Sequence, residues 1–151
     1  MNKKQKSGLR GTHLAAAELI RNEMNAFLTS RNSKGADIIV SDEDGIRQIG
    51  VQVKTNTTQS FFTIGEPKKD ERYFYVLVDI HEKGGVEKIR YFVFPSTEME
   101  KIVRHDITCP KFEQWNIYLK DPRLEKFENR WNLIRLVLDK KQNNEKKEAE
   151  K

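Results

Sequence analysis

A single cysteine, Cys109, stands in 151 residues. It excludes an internal disulfide and a multi-cysteine zinc site, and it suits a reducing cytoplasm. No uninterrupted apolar run approaches the roughly 20 residues of a spanning helix, so no membrane span is expected. The basic opening Met1-Asn2-Lys3-Lys4-Gln5-Lys6 is not followed by the apolar core of a signal peptide. No internal repeat or low-complexity block precedes the tail. The charge excess is small, because 28 Lys and Arg face 23 Asp and Glu for a net +5. That suits a phosphate-bearing partner and ordinary solubilising charge equally well.

What remains is enough for a real core. The expectation is a single domain over residues 1–140 and a charged tail over 141–151. Residues 1–11 read as a mobile arm whose Arg10 can touch phosphates, or as a plain disordered terminus. Thr12 is a plausible N-cap, and Leu14, Ala17, Ile20 and Met24 follow at helical spacing. Glu18 lies at the border of that stripe. It can reach inward to a site, or it can pair with Arg21 or Asn22 at the surface. His13 has no ligand partner in sequence and reads as surface or DNA-facing.

Two short β-branched stretches, Gly35-Ala36-Asp37-Ile38-Ile39-Val40 and Ile49-Gly50-Val51-Gln52-Val53-Lys54-Thr55, flank the turn residues Ser41-Asp42-Glu43-Asp44-Gly45. They predict an antiparallel hairpin. Alternation sets Ile49, Val51 and Val53 on one face and Gln52 and Lys54 on the other. If Asp37 shares the second face, a carboxylate, an amide oxygen and an ammonium converge. The acid can bind a hard metal, and the lysine can hold a water or a phosphate. Lys34, in the turn before Asp37, is placed to grip a backbone phosphate. Thr55, at the exit of the strand, offers a hydroxyl to phosphate oxygens or belongs to an ordinary loop.

Further on, Phe61–Ile64 is too short for a helix. Residues 73–80 read as a central strand, 81–88 as a connection, and 89–94 as its hairpin partner. Asp79 has no visible partner and reads as a strand end. Thr97-Glu98-Met99-Glu100 predicts a capping box and a helix to about Arg104. Residues 105–110 read as a loop and 115–119 as an edge strand. Asp121-Pro122 opens a C-terminal helix bearing Leu124, Phe127, Trp131, Ile134 and Leu138, with Trp131 as a core anchor.

The arrangement Asp37, then Gln52-Val53-Lys54, resembles the signature of the PD-(D/E)XK nuclease superfamily, which includes restriction enzymes, Holliday-junction resolvases and repair nucleases. Gln52 stands where most members carry Asp or Glu, and this resembles the QxK variant of Mrr-type restriction enzymes. Ala36 replaces the usual proline, and no clear helix follows Lys54. The resemblance implies an α/β, restriction endonuclease-like core with a central mixed β-sheet of about five strands flanked by helices. Ala26-Phe27-Leu28-Thr29-Ser30 can continue the first helix or start a short strand, and the resemblance favours a strand that opens a three-strand meander.

The resemblance also implies a metal-dependent endonuclease that hydrolyses DNA phosphodiester bonds with Mg²⁺ or Mn²⁺. Glu18, Asp37, Gln52 and the Val53 backbone carbonyl would hold the metal, and Lys54 would orient water. Two-strand cleavage favours a symmetric homodimer. The alternative is a catalytically inactive nuclease-fold module that binds DNA or a protein partner. A plain structural ion pair between Asp37 and Lys54 is a third reading.

Overall fold

A computed structural model describes residues 1–30, 35–67, 69–109 and 112–140. In chain order the elements are α1 (Lys3–Arg21), β1 (Asn25–Leu28), β2 (Ile38–Ser41), β3 (Gln48–Asn56), β4 (Phe61–Thr63), β5 (Tyr73–Lys83), β6 (Val86–Pro95), α2 (Met99–Ile102), β7 (Arg104–Cys109), β8 (Phe112–Tyr118), α3 (Pro122–Glu125) and α4 (Asn132–Asp139). The expected tail over 141–151, like Lys34, lies outside the described residues.

The first helix starts earlier than expected. Asn2 Oδ1 accepts from the Gln5 amide N at 2.9 Å, and Gln5 Oε1 accepts from the Asn2 N at 3.0 Å. This capping box pre-empts Thr12 as the start. Thr12 instead lies mid-helix and donates its hydroxyl to the Gly8 carbonyl at 3.1 Å. The expected mobile arm is therefore helix. Its buried face is Gly11, Ala15, Ala16 and Leu19. Ala17 and Ile20, read from the sequence as core-facing, are exposed, Ile20 by 59%. Small residues let the helix approach β3 closely, and that shifts the contact stripe.

Five strands form a mixed sheet in the order β1-β2-β3-β5-β6. The expected meander is present: β1 pairs antiparallel with β2, and β2 with β3, in the register Ile38↔Val51 and Val40↔Ile49. β3 and β5 run parallel, with Gln52 opposite Tyr75 and Lys54 opposite Leu77. β5 is central and buried from Tyr73 to Ile80, as its unbroken apolar run predicts. Its hairpin with β6 is longer than expected. The strands extend to Lys83 and from Val86, and only Gly84-Gly85 turns, with φ of 60° and 75°. Two consecutive left-handed residues make the tight turn whose twist matches the strands.

Alternation gives the sheet two faces. One packs Ile38, Val51, Val53, Val76 and Val93 against Leu19 of α1 and Ile134 of α4. The other packs Tyr75, Leu77, Phe92 and Phe94 against Phe62, Met99, Ile117 and Leu124. That second layer is a three-stranded sheet, β4-β8-β7, with α2 and α3 beside it. Residues 105–109, expected as a loop, are strand, and β8 lies at the centre of its sheet. The polar side chains of β7 and β8 satisfy one another: Asp106 accepts from the Tyr118 hydroxyl at 2.6 Å and from Asn116 Nδ2 at 2.9 Å. The expected capping box at Thr97 is absent. A 3₁₀ turn over Ser96–Glu98 leads into α2, which has no side-chain cap.

Asp121 does cap α3, accepting from Arg123 N, but the C-terminal helix is broken. Asn129 turns left-handed at φ 54°, and α4 starts at Asn132. Leu124, Phe127, Trp131, Ile134 and Leu138 are all buried even so. Asp79 is not at a strand end. It is 2% exposed inside β5, accepts from Asn56 Nδ2 at 2.9 Å and faces His81 Nε2 at 2.8 Å. Burial raises its pKa, against the opposing pull of His81 and Asn56. No described helix is long and apolar enough to cross a membrane.

Candidate functional site

The β2–β3 ladder ends at Ile38↔Val51, and Asp37 lies one residue beyond. Its backbone is fixed from both sides, since Asp37 N donates to the Val51 carbonyl at 2.8 Å and Thr29 N donates to the Asp37 carbonyl at 3.0 Å. The side chain then replaces the missing ladder partner. Asp37 Oδ2 accepts from Val53 N at 2.8 Å and from Gln52 Nε2. N–H and C=O of one strand residue point the same way, so the Val53 carbonyl is directed to this same edge.

Gln52 is the middle of a chain. Its Oε1 accepts from the Tyr73 hydroxyl at 2.9 Å, and that hydroxyl also lies 3.1 Å from the Gly35 carbonyl. Tyr73 begins β5, and nothing in the sequence singles it out, since it reads as the first aromatic of an apolar run. Gly50 is what admits its ring: a Cβ there would lie 3.2 Å from Tyr73 Cδ2 and 3.1 Å from the Ala36 Cβ. Burial, with nearby Tyr75 and Asp37, pushes the Tyr73 hydroxyl up to about 12.

Lys54 shares the Gln52 face and is half-buried. It lines a cleft of about 520 Å³ with Lys4 and Gly8 of α1, Asn56, Phe61 and Gln114. The first turns of α1 thus bring a second lysine to the site. Burial raises the Asp37 pKa, while the Val53 N–H and the Lys54 charge pull it back.

That direction has a sign for stability. A carboxyl whose folded pKa is raised contributes most below its unfolded pKa, and the contribution is lost as pH rises through the folded value. Asp37→Asn, whose amide oxygen can keep both donors, should therefore gain thermal stability over wild type between pH 4 and pH 7, with no gain at pH 3. Parallel thermal melts across that range check it. Equal gain at all pH values would contradict a half-buried carboxylate here.

The other expected site residues are placed apart. Glu18 accepts from Arg21 Nε at 2.9 Å and Nη2 at 2.7 Å. It also acts on Tyr91 of β6, whose ring packs 5.5 Å from Trp131 on the helix-covered face. Gln52 and Lys54 project from the opposite face. Arg10 is bound to Glu87 of β6, and His13 is exposed on α1. Thr55 turns its hydroxyl under Gly11, where it is buried and finds no hydrogen-bond partner among the described residues. The structure thus brings together Asp37, Gln52, the Val53 backbone and Lys54, adds Tyr73, and sets Lys4 in the cleft beside Lys54.

Asp37 is left as the carboxylate of this constellation, and among the described residues no three His, Cys, Asp or Glu side chains group to hold a metal. The donor set still fits one class of cation. Magnesium keeps several waters and takes one or two carboxylates plus substrate phosphates. One carboxylate and a backbone carbonyl face this edge, and the Gln52 amide oxygen would join them only on turning away from Tyr73; with a phosphate supplying further charge, that set would meet the need.

No family model matches the chain, and no curated protein does. Among solved structures it is similar to a bacterial homing endonuclease, I-Ssp6803I, at 15% sequence identity and a TM-score of 0.55, over 97% of this chain and 99% of that chain. The chain therefore shares with that protein a mixed α/β fold, built here around a five-stranded sheet, along nearly its whole length.

Proposed function

We propose that the protein is a metal-dependent endonuclease of the PD-(D/E)XK kind, in its QxK form, hydrolysing DNA phosphodiester bonds. The observation that carries this reading is the convergence of Asp37, Gln52, the Val53 backbone and Lys54 at the end of the β2–β3 ladder. The likeness of fold to a bacterial homing endonuclease supports it.

Asp37 would hold Mg²⁺ or Mn²⁺ with the Gln52 amide oxygen and the Val53 carbonyl. When bound, the cation would neutralise phosphate charge and lower the pKa of a water. Lys54 would orient the attacking water, which gives up a proton as its oxygen adds to phosphorus, and would stabilise the charge that builds on the phosphate. The bond to one sugar oxygen breaks, and that oxygen takes up a proton. Water and phosphodiester become a phosphomonoester and an alcohol.

The test is incubation with supercoiled plasmid and with branched DNA, in Mg²⁺ or Mn²⁺ and in chelator. Nicking in metal and none in chelator is the expected result; no cleavage of either substrate under any condition would overturn it.

One observation favours a second reading, a nuclease-fold module that binds DNA without cutting. Glu18 is engaged with Arg21 on the far face, so Asp37 bears the metal charge alone. Salt-dependent DNA binding with no Mn²⁺ binding would select this reading.

Both readings place DNA along the cleft between Lys4 and Lys54. Each phosphate neutralised contributes about −0.9 to the slope of log K against log salt. Lys4→Ala should therefore weaken DNA binding and reduce that slope by about 1. Fluorescence anisotropy at several salt concentrations measures it. An unchanged slope would remove Lys4 from the interface.

A further inference from the structure

The geometry points to Tyr73 as the positioning residue for Gln52: its hydroxyl holds the amide in one orientation without a cation and in the reverse orientation with one. This rests on the metal-dependent reading above. Asp37 Oδ2 is an acceptor, so Gln52 must turn Nε2 toward it, as observed. That leaves Oε1 pointing at Tyr73, which donates to it at 2.9 Å. In this orientation the amide cannot serve a cation at Asp37, because its oxygen faces away.

A cation at Asp37 reverses the requirement. Oε1 must face the cation, and Nε2 then needs an acceptor on the other side. A tyrosine hydroxyl can donate or accept, so the same oxygen serves both states. The phenol proton released from Gln52 has a second acceptor ready, the Gly35 carbonyl 3.1 Å away. The ring itself cannot swing, since it is 8% exposed, lies over Gly50 and sits edge-on to Tyr75 at 5.6 Å. A carboxylate at position 52 would need no such partner, since both its oxygens accept. Tyr73 is thus what an amide in this place demands.

The test is Tyr73→Phe, read by Mn²⁺ binding to the free protein through water-proton relaxation. Partners behind a ligand typically contribute about 10–100-fold in metal affinity, so Tyr73→Phe should weaken Mn²⁺ about tenfold. In a Gln52→Glu background the same change should cost less than about threefold, because no amide needs turning. A loss through mere disturbance of the fold would be equal in both backgrounds. The Gln52 side-chain ¹⁵N–¹H signals, assigned by their disappearance in Gln52→Glu, should also shift on adding Mg²⁺ in wild type. Equal Mn²⁺ affinity in wild type and Tyr73→Phe, or an equal loss in both backgrounds, overturns the inference alone. Absence of Mn²⁺ binding in wild type overturns the metal reading and this inference with it.

Discussion

Lys54→Ala should cut Mg²⁺-dependent nicking of supercoiled DNA by about 10²–10³-fold, the usual cost of removing one preorganised group from a developing charge. Asp37→Ala should lower nicking at least as far, because it removes the carboxylate of the cation site and orphans the Val53 N–H. The two losses differ in kind. Asp37→Ala should abolish the dependence on Mn²⁺ concentration, whereas Lys54→Ala should leave metal binding near the wild-type level. Lys54→Arg should not restore activity, since a planar guanidinium cannot replace a compact ammonium in a half-buried position. Gln52→Glu should act in the opposite sense and lower the Mg²⁺ concentration needed, by returning a second negative charge to the site. Single-turnover nicking assays across a metal series separate these outcomes. Full activity in either alanine variant would refute the assignment of roles.

The parts of this molecule that were legible in the sequence are those where one face of a strand is buried. Ile49, Val51 and Val53 alternate with polar residues, and Tyr73 to Ile80 form an unbroken apolar run. Both patterns reflect what the core requires, so strands, pairing and the shared face of Gln52 and Lys54 could be read directly. The second sheet was not legible, for a physical reason. β4 has three residues, and β7 reads Arg-His-Asp-Ile-Thr-Cys, whose polar groups look like loop until Tyr118 and Asn116 are seen to satisfy Asp106. Helical spacing marked Leu124 to Leu138 correctly as core, but spacing alone does not reveal the left-handed Asn129 between two short helices.

Asp37, Gln52 and Lys54 lie together as expected because their placement depends on strand alternation and on one short hairpin pairing. Glu18 depended on how α1 is rotated about its axis. The sequence stripe Leu14, Ala17, Ile20 gave one rotation, and packing through Gly11, Ala15 and Leu19 gave another, which carries Glu18 to Arg21 and Tyr91. Tyr73 required the parallel register between β3 and β5, a long-range fact no local pattern encodes. Gly50, a strand glycine, was the available signal that something approaches β3 closely there.

The same rotation of α1 makes Gly11 the glycine with least room for a side chain among the described residues. A Cβ added there would lie 1.9 Å from Thr55 Oγ1 and 2.9 Å from Thr55 Cβ and Cγ2. Gly→Ala inside a helix otherwise stabilises by roughly 0.8–1 kcal/mol, while overpacking costs about 1–3 kcal/mol. Thr55 is β-branched and stiff and anchored in a paired strand, so it cannot move aside cheaply, and the overpacking term wins. Gly11→Ala should lower the thermal midpoint by several degrees, at roughly 2–4 °C per kcal/mol for a chain of this size. Gly11→Val should lower it further. Gly8→Ala is the internal control: among the described residues nothing lies within 4 Å of its added Cβ, so the propensity gain should stand alone and raise the midpoint. Thr55→Gly should rescue Gly11→Ala, whereas Thr55→Ala should rescue it only in part, because the Cβ at 2.9 Å remains. Thr55 adjoins Lys54, so the unrescued variant should also lose nicking activity beyond what its lower stability explains. Wild-type stability in Gly11→Ala would mean that α1 does not rest on β3 at this point, and the placement of Lys4 beside Lys54 would fall with it.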